Sequence, residues 1–238
     1  MDAVIMTGGK GLRMAPYTKV LPKGLLPVGE QPILEIIVKQ LRYHGFTNIT
    51  MACGYRSSLI QTYFGNGSAW NVSITYQVET EPRGTAGPLK TLTHLSEPFL
   101  LINCDVLTTL PFRKLWEFHM SGGRSLMTIA SQQKQIPIEL GVLETEGDRV
   151  IRFIEKPVRN ARVSMGIYMM DPDILAYIPE KQFFDIPDLI RVLLEDGKEV
   201  RHYENDAFWI DIGRPADFAR ANEVYPKWKH LLLPVETE

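Results

Sequence analysis

Four consecutive apolar residues, Ala3, Val4, Ile5 and Met6, run straight into a loop carrying Gly8, Gly9 and Gly11. A short buried strand that breaks into glycines restricts the fold more than any other feature of this chain. Glycine lets backbone N–H groups close around anionic oxygens with no Cβ in the way. Arg13 follows within the loop, and Lys23 comes after two prolines, Pro16 and Pro22. Two fixed cations at the mouth of such a loop can hold a polyphosphate and neutralise charge as it develops. The pattern predicts a phosphate site at which chemistry is done.

Two common glycine motifs fail on register. The dinucleotide fingerprint G-x-G-x-x-G needs a third glycine at the position of Met14. The P-loop needs Lys directly after Gly and then Ser or Thr, whereas Lys23 precedes Gly24 and Leu25 follows. A nicotinamide-dependent dehydrogenase is excluded by the same Met14 and by the lack of a hydride-transfer set.

Apolar strands and amphipathic helices alternate through the first half. Ile33, Leu34, Ile37, Val38 and Leu41 recur at helical spacing, and Gly45 is placed to end that helix. Strands are expected at Ile49–Cys53, Val72–Val78 and Phe99–Asn103, with helices over about 56–64 and over Gly84–Leu95. The second half is richer in strands: Ser125–Ser131, Leu140–Glu144, Val150–Glu155 and Val163–Met170 read as extended. Helices over Ile186–Leu194 and Ala216–Val224 follow. Such alternation predicts an α/β fold with a Rossmann-like, doubly wound, mostly parallel mixed sheet, whose ligand crevice lies at the carboxyl ends of the strands. With no repeat, low-complexity stretch or linker, one domain is expected over 1–238. Its nucleotide half spans about 1–110, its acceptor half 111–226, and a tail 227–238.

The formal net charge of −2 offers no basic excess to draw a nucleic acid or a membrane surface, so phosphate binding must come from a few placed cations. No signal-like or membrane-spanning segment is read, and a cytoplasmic location is expected. Cys53 and Cys104, each inside an apolar run, are expected as free buried thiols, and the five scattered histidines have no metal-ligand spacing.

The full run G-G-x-G-x-R-x-x-P-x-T-x-x-x-P-K-x-x-x-P-V over residues 8–28 resembles the signature of the sugar-phosphate nucleotidyltransferases, the NDP-sugar pyrophosphorylases. The resemblance extends over residues 2 to about 224. It implies the nucleotide-diphospho-sugar transferase fold and a reaction of an NTP with a sugar 1-phosphate to give an NDP-sugar and pyrophosphate. It also implies Mg²⁺ as cofactor, and relatives of this kind often form homo-oligomers. Arg13 and Lys23 would be catalytic, with Thr7, Gly8, Gly9, Gly11, Gly84 and Thr85 around the nucleotide. Asp105, directly after the Phe99–Asn103 strand, and Asp211, in Trp-Ile-Asp-Ile-Gly213, would hold the metal. By themselves, Asp105 could cap a following turn and Asp211 could N-cap the last helix. Glu155 and Lys156 in the E-K-P motif, Gly141 and Ser164 would serve the sugar phosphate. Ser164 stands where relatives often have Asn, and its hydroxyl offers fewer hydrogen-bonding groups than an amide.

Glu79 discriminates most. Thymidylyl- and uridylyltransferase relatives often carry Gln there, whose amide can pair with the adjacent acceptor and donor of thymine or uracil. An ionised carboxylate only accepts, and guanine offers two neighbouring donors, N1–H and the 2-amino group. GTP is therefore the expected nucleotide, and Gly-Thr-Ala-Gly87 resembles mannose-1-phosphate guanylyltransferases. Glu79 could also be a solvated strand residue. A non-catalytic NDP-sugar-binding regulatory subunit would be expected to lack one of Arg13, Lys23, Asp105, Lys156 or Asp211, and all five are present. Other NTPs, and hexose, heptose or cyclitol phosphates as acceptors, stay open at this point.

Overall fold

The computed structural model describes residues 1–123 and 125–234. In chain order the strands are β1 (Asp2–Thr7), β2 (Pro27–Val28), β3 (Gln31–Pro32), β4 (Asn48–Cys53), β5 (Ser73–Val78), β6 (Phe99–Asn103), β7 (Val106–Thr108), β8 (Met127–Pro137), β9 (Val142–Glu146), β10 (Arg149–Ile154), β11 (Val158–Met170), β12 (Val200–Glu204) and β13 (Trp209–Asp211). The helices are α1 (Ile33–Tyr43), α2 (Ser57–Phe64), α3 (Phe112–Ser121), α4 (Ile186–Glu195) and α5 (Pro215–Leu232). Seven strands form the main sheet in the order β12-β8-β11-β6-β1-β4-β5. β1 pairs in parallel with β4 and β6, β4 with β5, and β12 with β8; β11 alone runs antiparallel to both its neighbours. The mostly parallel mixed sheet of the α/β reading is present.

β1 is the pivot. From it the chain moves outward through β4 and β5, then returns to place β6 on its other side. The order reverses there, so a crevice opens beyond the carboxyl ends of β1 and β6. Both faces of the sheet are covered, which is why its central strands are continuous apolar runs rather than alternating ones. Val4, Leu101, Met127 and Leu189 fill one layer, and Ile5, Ile37, Leu100 and Phe112 the other. On α1, Ile33, Leu34, Ile36, Ile37, Val38 and Leu41 are fully buried, each contributing about 1.5–3 kcal/mol of transfer free energy. Gly45, with φ +85°, ends this helix: its N–H donates to Arg42 O, and the Phe46 N–H to Leu41 O at 2.8 Å, the double bond of a Schellman cap.

Two expectations need correction. Gly84–Leu95 is not an α-helix; only Gly87–Thr91 coils, as a 3₁₀ turn. Gly84 has φ +81°, and Pro88 has no N–H to give. The segment is stitched instead to a distant strand-like stretch, with the Ala86 and Gly87 N–H groups both donating to Phe184 O at 2.9 Å. The last helix, expected to stop at Val224, continues to Leu232 through Pro226. The expected tail from Lys227 is thus helix as far as Leu232. Trp228 explains the extension, because its ring stacks on Phe208 at 4.7 Å and ties the extra turns to the core.

β9 and β10 pair with each other as a separate hairpin. One face carries the cross-strand pairs Glu144–Arg152 and Glu146–Arg149, the other Leu143 opposite Phe153. Phe153 is 61% exposed, so this hairpin projects from the body.

α5 is docked by a contact that only glycine permits. Gly29, at φ +62° between β2 and β3, donates its N–H to Asn222 Oδ1 at 3.0 Å, and a Cβ there would fall 2.3 Å from the Tyr225 ring. Gly29→Ala should therefore cost about 1–3 kcal/mol and lower Tm by roughly 3–10 °C in calorimetry. A Tm equal to that of the unsubstituted chain would show that Tyr225 has room to move.

Candidate active site

The carboxyl ends of β1 and β6 open into a cleft of 960 Å³. Gly8, Gly9, Gly11, Arg13, Lys23, Glu79, Gly84, Thr85 and Asp105 all line it, together with Asn103, Arg83 and Phe183. The glycine loop is held in shape from within. Gly11 sits at φ +60°, and its carbonyl accepts from Thr18 Oγ1 and from the Met14 N–H, both at 2.8 Å. Met14 is fully buried and anchors the loop in the core. A Cβ on Gly11 would come within 2.8 Å of Thr18 Cγ2, so the turn closes only around glycine.

Lys23 forms a salt bridge with Asp105, and both side chains are largely buried. Asp105 Oδ1 has no partner and is buried. The Asp105 side chain therefore caps no turn among the described residues. Asp211 reaches the same place from the far end of the chain. β13 pairs with β7 so that Asp211 stands opposite Val106, and the Ile212 N–H donates to Asp105 O at 2.9 Å. Arg13 closes the set: a Cβ on Gly213 would lie 3.5 Å from Asp211 Oδ2 and 3.7 Å from Arg13 Nη2. Burial, and next the Asp105 charge, raise the Asp211 pKa against the pull of Lys23 and Arg13. Asp211 does not cap the last helix; Asp217 Oδ2 accepts from the Arg214 N–H at 2.9 Å there.

Two carboxylates side by side, one with a bare buried oxygen, fit a hard divalent cation. Mg²⁺ commonly takes one or two carboxylates and fills its remaining positions with water and substrate phosphates. Among the described residues no group of three or more acidic, His or Cys side chains is placed to hold a metal unaided, so such an ion would depend on the substrate for part of its shell.

Glu79 follows β5, with its N–H on Cys53 O at 2.8 Å. Its Oε2 would be 3.3 Å from a Cβ on Gly8, and its Oε1 is buried without a partner. Burial raises its pKa, while Arg83 pulls it down. This is a carboxylate aimed into a cleft, not one lying on solvated strand.

Other expected residues are placed differently. The Thr7 hydroxyl is spent inside the sheet on Ala52 O at 3.0 Å, so only its backbone is available to a ligand. Thr85 lines the cleft, but its N–H and hydroxyl both donate to Asp185 Oδ1, at 2.8 and 3.0 Å, and its Oγ1 accepts from the Ile186 N–H. Gly141, Glu155, Lys156 and Ser164 are not cleft-lining residues. Gly141 lies under the Phe153 ring with Glu155 beside it at the base of the hairpin, and Lys156 takes φ +43°. Ser164 Oγ donates to Tyr168 Oη at 3.1 Å; two residues on, a Cβ at Gly166 would be 2.8 Å from Asn103 Nδ2, at the cleft wall.

Sequence reasoning passed over Gly54, Tyr55 and Asn103, all at the carboxyl ends of β4 and β6. Their position after apolar strands was an available signal. Gly54 has a clear reason to be glycine: a Cβ would fall 2.8 Å from Gly8 O. Phe183 and Asp185 gave none, since a contact across a hundred residues leaves no local pattern. Cys53 and Cys104 are free, and burial pushes their thiols up to about 11 and about 12.

Comparison with known proteins bears on the family and the fold. The nucleotidyl transferase family profile matches residues 2–227. The chain is 33% identical over 236 residues to the mannose-1-phosphate guanyltransferase of Kluyveromyces lactis, and 34% over 235 residues to that of Aspergillus oryzae. Each alignment covers 94% of this chain and 64% of the relative, so the chain spans somewhat under two thirds of those proteins. Among solved structures, a putative glucose-1-phosphate thymidylyltransferase from Bacillus anthracis superposes with a TM-score of 0.78 at 24% identity, covering 100% of this chain and 98% of that one. HddC from Yersinia pseudotuberculosis complexed with GMP-PN gives 0.73 at 23% identity, covering 94% and 99%. At these identities the superpositions establish the fold.

The crowding of Asp105 and Asp211 has a measurable consequence. In metal-free buffer at neutral pH, Asp211→Asn should raise Tm, because it removes a like charge held out of water. Mg²⁺ with a nucleotide should raise the Tm of the unsubstituted chain, and Asp211→Asn should abolish that increase. A variant less stable than the original without metal would mean that Lys23 and Arg13 already compensate both carboxylates.

Proposed function

The chain belongs to the nucleotidyl transferase family, and from that premise we propose that it joins the nucleoside monophosphate of GTP to a sugar 1-phosphate, releasing pyrophosphate. The observation that carries this reading is the convergence of Arg13, Lys23 and Asp105 beside one glycine loop in one cleft, with Asp211 against Gly213 at the cleft wall. Both substrates are anions, so the work consists of positioning and charge neutralisation rather than covalent catalysis.

A phosphate oxygen of the sugar attacks the α-phosphorus in line, the bond to the β-phosphate oxygen breaks, and pyrophosphate leaves with the electron pair. Backbone N–H groups of the Gly8–Gly11 loop hold the triphosphate, and Arg13 takes the charge growing on the leaving group. Asp105 and Asp211 would hold Mg²⁺, which when bound supplies neutralisation at the α-phosphate. Lys23, paired with Asp105 and lining the same cleft, would donate to the reacting phosphate. Lys156 and Glu155, with Gly141 and Ser164, are assigned to the sugar phosphate. Gly141, Glu155 and Lys156 flank the projecting β9–β10 hairpin, whereas Ser164 lies on β11 within the main sheet.

Glu79 supports guanine. Its Oε2 lies beside Gly8 and its Oε1 is buried and unpaired, and the N1–H and 2-amino donors of guanine match a carboxylate of this kind. Gln at this position would lose one acceptor and gain a misplaced donor. Free thiols at Cys53 and Cys104 support a reducing compartment, the cytoplasm. No helix among the described residues is long and apolar enough to cross a membrane.

Pyrophosphate release measured over a grid of NTPs against sugar 1-phosphates, with and without Mg²⁺, tests the function. GTP with a hexose or heptose 1-phosphate should be turned over only with the metal. Silence across the whole grid would leave a binding protein of the same fold. Lys23→Ala should keep the circular dichroism of the folded chain and cut kcat by about a hundredfold or more; an unchanged kcat removes Lys23 from the chemistry. Glu79→Gln should reduce the GTP preference over UTP by about tenfold or more, and a preference that survives would locate base selection elsewhere.

A further inference from the structure

Phe183 stands in the wall of the cleft and is 64% exposed. A single exposed apolar residue on open surface is ordinary. This one lies in a concavity, and its neighbour shows that the core was within reach. Phe184 packs against the layer that holds Leu89 and Ile186, whereas Phe183, one residue earlier, stays outside it.

The ring is kept there by the backbone that follows it. The Phe184 N–H donates to Arg83 O at 3.0 Å, and Phe184 O accepts from the Ala86 and Gly87 N–H groups. Asp185 Oδ1 takes both Thr85 donors, and the Ile186 N–H donates to Thr85 Oγ1 at 2.9 Å. Two glycines let the segments come this close. A Cβ on Gly84 would fall 2.5 Å from Phe184 O, and one on Gly87 would fall 3.2 Å from Gln182 O. Residues 182–186 are thus strapped across 83–87, which holds the Phe183 backbone at the cleft.

The surroundings of the ring identify what it would meet. Glu79 to Thr85 line the cleft as one unbroken run, so the strap sits at one end of a wall whose other end is the Glu79 carboxylate. Gly141, Glu155, Lys156 and Ser164, assigned to the sugar phosphate, do not line this cleft. Tyr55 is the other aromatic residue lining it, but the Arg56 guanidinium already lies over its ring at 5.2 Å, and its hydroxyl accepts from Arg56 Nε at 2.7 Å. Phe183 has no ring or cation partner among the described residues. A fixed phenyl face with nothing on it, in the same wall as an unpaired carboxylate, matches a flat heteroaromatic ring with a polar edge.

We propose that Phe183 stacks on the nucleobase, taking the face of the base while Glu79 takes its edge. The proposal rests on the nucleotide binding argued above and adds the apolar half of the base site. Stacking on an aromatic side chain tolerates any base. Phe183 therefore sets how firmly a base is held in the plane that Glu79 reads, and Glu79 sets which base it is. The bonds made and broken in the reaction are unchanged.

Calorimetry in the presence of Mg²⁺ can compare GTP with tripolyphosphate, which has the phosphate chain and no base. The original chain should bind GTP more tightly. Phe183→Ala should weaken GTP by about tenfold or more, leave tripolyphosphate binding as it was, and keep the circular dichroism of the folded chain. Phe183→Trp should bind GTP at least as tightly as the original, and the emission of the added indole should fall with GTP but not with tripolyphosphate. In turnover, Phe183→Ala should raise KM for GTP and not for the sugar 1-phosphate. Unchanged GTP affinity in Phe183→Ala, an equal loss on both ligands, or a rise in KM confined to the sugar 1-phosphate overturns the proposal. So does an original chain that binds GTP no more tightly than tripolyphosphate. Failure of the transferase function reads differently: a chain that turns nothing over, yet binds GTP and loses that binding in Phe183→Ala with tripolyphosphate unaffected, keeps the stacking without the reaction.

Discussion

The buried ion pair between Lys23 and Asp105 is the contact on which the rest of the cleft depends. Taking two charges out of water costs several kcal/mol each, and their attraction repays this only when every remaining polar group is also satisfied. Here it is not, because Asp105 Oδ1 is left bare and buried. As a stabilising element the pair is poorly made; as half of a binding site it is sound. It keeps a cation and an anion fixed a short distance apart, where a metal and a phosphate can divide them. Lys23 is held in turn by the proline-punctuated loop, and Asp105 by the end of a strand buried on both faces.

The topology supplies the second requirement, that residues far apart in sequence arrive at one point. β1 and β6 are neighbours although about a hundred residues separate them, and β13 lies against β7 after a further hundred. A parallel sheet delivers all its strand ends to one side, and the reversal of strand order leaves a gap there that no crossover fills. The Ile212 N–H to Asp105 O bond then fixes the spacing of the two backbone positions that carry Asp105 and Asp211. Of the residues assigned to the acceptor, Gly141, Glu155 and Lys156 flank a hairpin that pairs with itself alone, while Ser164 is held in β11 of the main sheet.

That contrast also explains what the sequence made legible. Gly8, Gly11, Arg13 and Lys23 lie in one local run, where each residue type answers a requirement of its own loop. The central strands β1, β4 and β6 read correctly because both faces are apolar, whereas β12, half-exposed at the sheet edge, left no such run and was passed over. The Gly84–Leu95 error has the opposite origin: its helix-like apolar spacing is overridden by bonds to Phe184, a partner a hundred residues away that no window can see. The same distance hid Asp185, which takes both Thr85 donors. The extension of α5 was hidden by Pro226, a residue that ordinarily ends a helix and here is outweighed by the stacking of Trp228 on Phe208.

Uncompensated negative charge follows from one logic. The carboxylates of Asp105 and Asp211 are crowded, and Asp105 and Glu79 each keep a buried oxygen with no donor. A fold selected for stability alone would pair such groups with donors or cations, and the lengths of their side chains would allow some of them to move toward partners. Each is instead held by a neighbour that keeps it where it is: Asp211 by the β13–β7 ladder and Glu79 by its backbone bond to Cys53. The free chain bears the cost of these unmet charges in advance. On the proposed function, these groups would need little rearrangement for a metal and a base to bind, which would leave more of the interaction free energy for the transition state.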